Sequence, residues 1–169
     1  MRPFFAGFVL AIFLIPALLL ASAAIGFFAV KATDDPPTWE TKLAGLTFNA
    51  SLRRAARLPN PVPATSEELL AGMHFYRNGC AGCHGDGRSA SPWGSTSFYP
   101  RAPQFSSAPP DRPDWQMFSI VKFGVRYSGM GGWEKLASDR EIWQTVTFLS
   151  RLRSLPPEVE EQWRKPASQ

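Results

Sequence analysis

The chain has 169 residues, with 18 Lys and Arg against 14 Asp and Glu for a net charge of +4. That excess is small, and no Lys/Arg cluster is interleaved with aromatics, so the composition excludes a nucleic-acid surface. Sixteen prolines and thirteen glycines predict a fold with much irregular chain.

From Pro3 to Val30 there is no charged residue. A helix of that length, at 1.5 Å per residue, reaches roughly 40 Å, and a bilayer core needs about 30 Å. The apolar region of a cleaved signal peptide runs only about 7–15 residues. The triplet Ala21-Ser22-Ala23 has the small residues of a cleavage site, yet apolar sequence continues past it. Residues 1–30 are therefore read as a retained transmembrane anchor, with a cleaved signal as the alternative. Arg2 precedes the segment, and KATDDPP after it is close to neutral. The basic-inside preference then leaves the N-terminus in the cytoplasm and everything after Lys31 outside. This is the arrangement of a single-pass membrane protein with its globular part on the outer side.

Residues 31–64 read as a tether. DDPP and LPNPVPATS are proline-rich ends unsuited to helix or central strand, and the stretch between them has the pattern of a short amphipathic helix. Its basic run SLRRAARL is either a solvated face or a membrane-surface contact. If flexible, a tether of this length spans about 30 Å end to end. The globular domain is then 65–165, with a short tail at 166–169. Its first helix opens at Thr65 or Ser66 with Glu67 and Glu68 in the first turn, repeats Leu69, Gly72, Met73 and Tyr76 at helical spacing, and stops at Asn78-Gly79. An irregular stretch follows from Gly85 to Pro113. A second helix starts near Asp114 and stops at Gly124. A third is capped by Ser138, carries the stripe Ile142, Val146, Leu149 and Leu152, and ends before Pro156-Pro157. No alternating strand pattern is present, so the expected class is all-α with long loops. A loop of that length is unusual in a compact domain unless something other than peptide fills the core.

The decisive stretch is NGCAGCHGDG, which holds both cysteines and His84. Four chemistries compete for Cys80-x-x-Cys83-His84. A structural zinc site needs four ligands, usually several cysteines, and this chain is short of them. A disulfide across so small a ring constrains the unfolded chain little. A thioredoxin-like redox pair belongs in a βαβ context, of which there is no sign. Cys-x-x-Cys-His in an exported chain reads as covalent c-type haem attachment, with two thioethers from Cys80 and Cys83 and an axial bond from His84.

A second axial partner has four candidates. His74 and Met73 lie on the helix leading into Cys80, on the side of His84. Met117 falls at an apolar helical position and reads as core. Met130 sits in GVRYSGMGGWEKL with glycine on both sides, which permits backbone to approach a bulky planar group.

NGCAGCHGDG, then FGVRYSGMGGW, then REIWQTVTFLSRL, in that order, resemble the class I cytochrome c family. They are more closely similar to the small monohaem cytochromes of the subgroup that includes domains of bacterial cbb3-type oxidases. The resemblance runs from about Ser66 to Leu155. It departs from the family pattern at Gly131-Gly132, where Pro-Ala is common, which makes the methionine loop more mobile. It implies three helices around one haem c, His84 proximal and Met130 distal as the metal ligands. It also implies a proline carbonyl on the other ring nitrogen of the histidine. Pro103 fits that part better than Pro100, with loop rigidity as the plain alternative. Arg126, Tyr127 and Trp133 flank the distal ligand and either contact the haem or serve as a solvated arginine and packing aromatics. Trp143 and Phe148 read as helix packing.

The function expected from these features is membrane-tethered electron transfer, with no catalytic residue and no small-molecule substrate. The partners would be redox proteins: a quinol-oxidising complex, a dehydrogenase or a terminal reductase or oxidase. The rival is a ligand-binding haem sensor or peroxidase-like enzyme with an open iron site. Against it, no arginine–histidine pair or signalling domain accompanies the motif. One expectation is checked by mass spectrometry of the native protein: Phe4 to Val30 are retained. A soluble chain beginning near Ala24 would contradict it.

Overall fold

The computed structural model describes residues 2–27, 30–106 and 109–166. Phe28 and Ala29 of the expected anchor, Ser107 and Ala108 of the long loop, and 167–169 of the tail lie outside the described residues. Among the described residues there are eight helices and no strand, so the all-α class holds. They are α1 (Arg2–Ala24), α2 (Thr38–Arg53), α3 (Ser66–Gly79), α4 (Ala81–His84), α5 (Pro92–Thr96), α6 (Asp114–Phe123), α7 (Asp139–Ser150) and α8 (Pro157–Arg164). Within α1, Gly7–Ala24 is long and apolar enough to cross a bilayer, and none of it is buried against the rest of the chain.

Each helix of the domain starts where its sequence allows. The Thr65 hydroxyl accepts from the Glu68 amide and opens α3. Ser138 and Glu141 form a reciprocal cap at α7: the Ser138 hydroxyl accepts from the Glu141 amide, and the Glu141 carboxylate accepts from the Ser138 amide at 2.8 Å. Helix α7 stops at Ser150, earlier than the proline pair suggests. Pro157 instead opens α8, which periodicity did not reveal; proline at a first helical position loses no hydrogen bond.

Helix α7 separates two cores. On one side Ile142, Trp143 and Val146 meet Met117, Phe118 and Val121 of α6, with Trp143 stacked on Phe118 at 4.1 Å. On the other, Phe148 and Leu149 meet Leu69, Met73 and Tyr76 of α3 and Val159 and Trp163 of α8. Trp143 and Phe148 are thus packing residues, as read. Helices α3 and α7 cross at Gly72, where any Cβ would collide with the Gln144 backbone carbonyl. Arg77 fastens α8 by donating to the carbonyls of Gln162 (2.8 Å), Trp163 (3.0 Å) and Lys165 (2.8 Å).

The stretch read as a tether is bound to the domain. The helix expected there is α2, and Leu52 on it is buried. Arg101 donates to the Thr33 carbonyl at 2.8 Å and pairs with Asp35 at 3.2 Å. Arg112 donates to Asn49 at 3.1 Å and lies over the Phe48 ring. The Asn60 amide donates to Asp114 at 2.8 Å and Thr147 at 2.9 Å, and Val62 enters the α6–α7 core. Proline-rich sequence forbids regular ladders but not docking; two apolar side chains and a few polar contacts are enough.

The α3–α7 crossing gives a test. Gly72→Ala has backbone, not a movable side chain, in its way, and is expected to destabilise by about 1–3 kcal/mol or more. Gly45→Ala in α2 meets nothing within 4 Å and is expected to be neutral or stabilising. Denaturant unfolding followed by helical circular dichroism distinguishes the two.

Candidate functional site

Helix α3 delivers Cys80, and α4 carries Cys83 and His84 in one tight turn. The backbone carbonyls of this turn all find donors. Cys80 accepts from the Cys83 and His84 amides at 3.0 Å each, and Ala81 accepts from the Gly85 amide at 2.9 Å. Gly82 accepts from the Ser91 hydroxyl at 2.5 Å, and Cys83 from the Gln104 side-chain amide at 2.9 Å. His84 accepts from the Phe105 amide at 2.9 Å, and Gly85 from the Tyr76 hydroxyl at 2.6 Å. The donors come from α3, from the residue capping α5, and from the 104–105 segment. Gly85 has φ +76°, a conformation glycine adopts without strain. The Gly94 backbone lies so close to the Cys83 carbonyl that no Cβ would fit.

His84 Nδ1 lies 2.8 Å from the Pro103 carbonyl. A carbonyl only accepts, so Nδ1 carries the hydrogen and donates it. Burial holds His84 below the ordinary histidine range, against the opposing effect of that carbonyl. Burial thus favours the neutral ring, whose lone pair lies on Nε2, an atom with no hydrogen-bond partner among the described residues. Phe105 stacks on the ring at 4.8 Å, nearly parallel. Pro103, not Pro100, supplies the carbonyl.

The two cysteines form no disulfide. Burial pushes the Cys80 thiol up to about 12, with Cys83 adding to the effect. A reactive redox thiol sits where its pKa is lowered; the burial of Cys80 acts in the opposite direction. No group of three or more His, Cys, Asp or Glu among the described residues could hold a metal ion. Uncommitted thiols, a neutral imidazole and an unpartnered Nε2 fit covalent attachment of a haem.

Met130 lies on a separate loop built on the α6 end of the other core. The Val125 amide donates to the Met130 carbonyl at 3.0 Å, and the Met130 amide donates to the Ser128 hydroxyl at 3.1 Å. Gly124 has φ +71°, and a Cβ there would sit 2.7 Å from the Met130 carbonyl oxygen. The Trp133 and Glu134 amides return to the Val121 and Lys122 carbonyls at 3.1 and 2.9 Å. Gly132 lies against the Phe123 backbone. The glycines of this loop, read as permitting approach to a planar group, thus also serve backbone-on-backbone packing.

Two contacts bring this loop against the cysteine turn. The Trp133 ring packs on Gly79, next to Cys80, and edge-on to Phe75 at 5.0 Å. A Cβ at Gly129 would sit 3.0 Å from the Phe98 ring, which meets Trp93 at 5.0 Å, the neighbour of Gly94 against Cys83. Met130 lies between these two contacts in the chain. It is half-buried, whereas Met73 and Met117 are buried in the two cores at 4% and 5% exposure. His74 is exposed on α3, its ring nitrogen 3.0 Å from the Asn78 amide. Arg126 is exposed, and Tyr127 is 91% exposed at φ +60°.

Sequence reading did not pick out Tyr76, Ser91, Gln104 or Phe105 as site residues. Tyr76 was visible only as an apolar repeat, and Ser91 before Pro92 carries a capping signal too short to weigh. Gln104 and Phe105 act through contacts remote in sequence.

Residues 67–149 match the family described as cytochrome C oxidase, cbb3-type, subunit III. No match emerges among curated proteins.

Tyr76→Phe leaves the Gly85 carbonyl without its donor in a fully buried place. The expected cost is about 1–3 kcal/mol in denaturant unfolding, with the cofactor still attached. An unchanged midpoint would show that the hydroxyl does not hold the turn.

Proposed function

We propose a function on the premise that this chain carries a class I cytochrome c domain similar to those of cbb3-type oxidases: a membrane-tethered monohaem electron carrier. The observation that carries the reading is the state of His84, with Nδ1 committed to Pro103 and Nε2 to no protein group. In this reading Cys80 and Cys83 would hold the porphyrin through thioethers, and His84 Nε2 would bind the iron. The Pro103 carbonyl fixes the tautomer and ring orientation and makes the imidazole a better donor. Met130, through its thioether, would be the second side chain to hold the iron. Trp133, packed over Gly79, covers the edge near Cys80, and Arg126 and Tyr127 stand at the rim of the distal loop.

When bound, haem c would supply one-electron exchange between ferric and ferrous iron, at a potential that ligation by His84 and Met130 would raise. Two protein ligands leave no position for a substrate, so the chain acts as a carrier and not as an enzyme. Its neutral ligands and apolar surroundings, Phe105 among them, disfavour the extra charge of the oxidised state.

Residues 1–30 serve as the single-pass anchor in a bacterial inner membrane, with the haem domain on the periplasmic side. This is supported by the apolar helix and by Arg2 before it. Anchoring raises the effective concentration of the domain near membrane-bound redox partners. These are a quinol-oxidising complex, a dehydrogenase or a terminal oxidase or reductase, met either transiently or as the other subunits of one complex.

The test is ligand substitution. Met130→Ala is expected to abolish the weak near-infrared band of ferric methionine ligation, lower the potential and let the ferrous form bind carbon monoxide. The haem stays covalently attached throughout. Met130→His is expected to restore six-coordination at a lower potential. Met117→Ala should cost about 2–5 kcal/mol of stability with the spectrum unchanged. Carbon monoxide binding to the unsubstituted protein would favour the open-site reading instead.

A further inference from the structure

Helix α2 is attached to the domain by one side only. Phe48, Asn49 and Leu52 face it, through the Arg112 contacts and through burial of Leu52. At 3.6 residues per turn, Trp39, Leu43 and Leu46 fall on the opposite side, where they are 59%, 58% and 68% exposed. The packing of the domain makes no use of this stripe.

Two features identify what covers it. The first is position. Arg101 of the domain grips the chain at Thr33 and Asp35, only three residues past Val30, the end of the apolar segment. At most about 3.6 Å per residue separates consecutive positions, so the domain is held within roughly 10 Å of the end of the apolar segment and roughly 30 Å of the end of α1. Helix α2 starts five residues later, at Thr38. The second is charge. Lys42 and Arg53 lie beside the stripe and Arg54 caps the same helix, while Glu40 is its one acidic residue.

Resting on the anchored reading above, we propose that α2 lies flat on the membrane surface. Trp39, Leu43 and Leu46 insert among the lipid headgroups, and Lys42, Arg53 and Arg54 meet the phosphates of anionic lipids. An indole at the headgroup level and leucines below it, flanked by basic side chains, match an interfacial amphipathic helix. Its other face is bolted to the domain, so the haem domain is held in one orientation on the bilayer and does not swing on a free tether.

The full-length holoprotein is reconstituted into vesicles of phosphatidylcholine and phosphatidylglycerol with one nitroxide, at Leu43→Cys or at Ser154→Cys. Both positions are exposed, so the label leaves the fold intact. The label at 43 is expected to collide with oxygen in preference to a water-soluble nickel chelate, at a depth of about 5–10 Å into the headgroup boundary. The label at 154 is expected to remain in water. Adding Lys42→Glu, Arg53→Glu and Arg54→Glu is expected to return the label at 43 toward water. Equal nickel access at 43 and 154 would overturn the proposal. Protection of position 43 only in native membranes would overturn it too, in favour of a protein partner on this face. A holoprotein that does not float with the vesicles would overturn both this inference and the anchored reading, whereas floating with a water-exposed label overturns only this one.

Discussion

The hydrogen bond from His84 Nδ1 to the Pro103 carbonyl, 2.8 Å long, is the contact on which the rest of the site depends. It decides which ring nitrogen carries the hydrogen and therefore which one offers a lone pair. The bond spans nineteen residues of chain, so it exists only if the segment between them is folded back accurately. Much of the domain serves that end. Ser91 holds Gly82 and Gln104 holds Cys83, while the Phe105 amide and ring secure His84 on both its backbone and its face.

The two proposed axial side chains depend on different cores. His84 stacks on Phe105, which packs with Tyr76 against the α3–α8 core, while Met130 packs against the α6–α7 core. Helix α7 belongs to both, and its well-formed cap and largely buried middle make it the common reference. An arrangement of this kind keeps the separation of two loops constant even though neither loop is regular. Interiors packed at crystal-like density transmit small shifts instead of absorbing them, so a change in α7 is felt on both sides.

The polar contacts of residues 33–62 extend the same logic toward the apolar N-terminal helix. Arg101 and Arg112 come from the irregular stretch between α5 and α6, the part of the chain that also supplies Pro103. A single loop thus touches the candidate attachment turn on one side and the segment following α1 on the other. Exposed ion pairs such as Arg101–Asp35 contribute little individually. Their role here is positional, and the buried Leu52 and Val62 supply the apolar area that makes docking favourable.

The sequence by itself determined the all-α class, the apolar span, the Cys80–Cys83–His84 turn and the ends of α3 and α6. These are encoded by adjacent residues or by a short period: a cap, a glycine stop, a stripe at helical spacing, a motif of five. It also singled out the loop of Met130, because glycines on both sides of a methionine stand out locally. Only the tertiary structure decided the rest. It brought the Pro103 carbonyl, which the resemblance alone favours over Pro100, to 2.8 Å from His84 Nδ1, put the Tyr76 hydroxyl on Gly85, formed α8 at the end of the domain and docked the proline-rich segment. Each of these joins residues far apart in sequence or depends on which apolar face remains uncovered once the other helices have packed. A carbonyl or hydroxyl carries no mark of its partner, and proline-rich sequence has the same composition whether free or docked. Chain closure and competition for buried surface set these contacts, and both come into being only when the whole domain is folded.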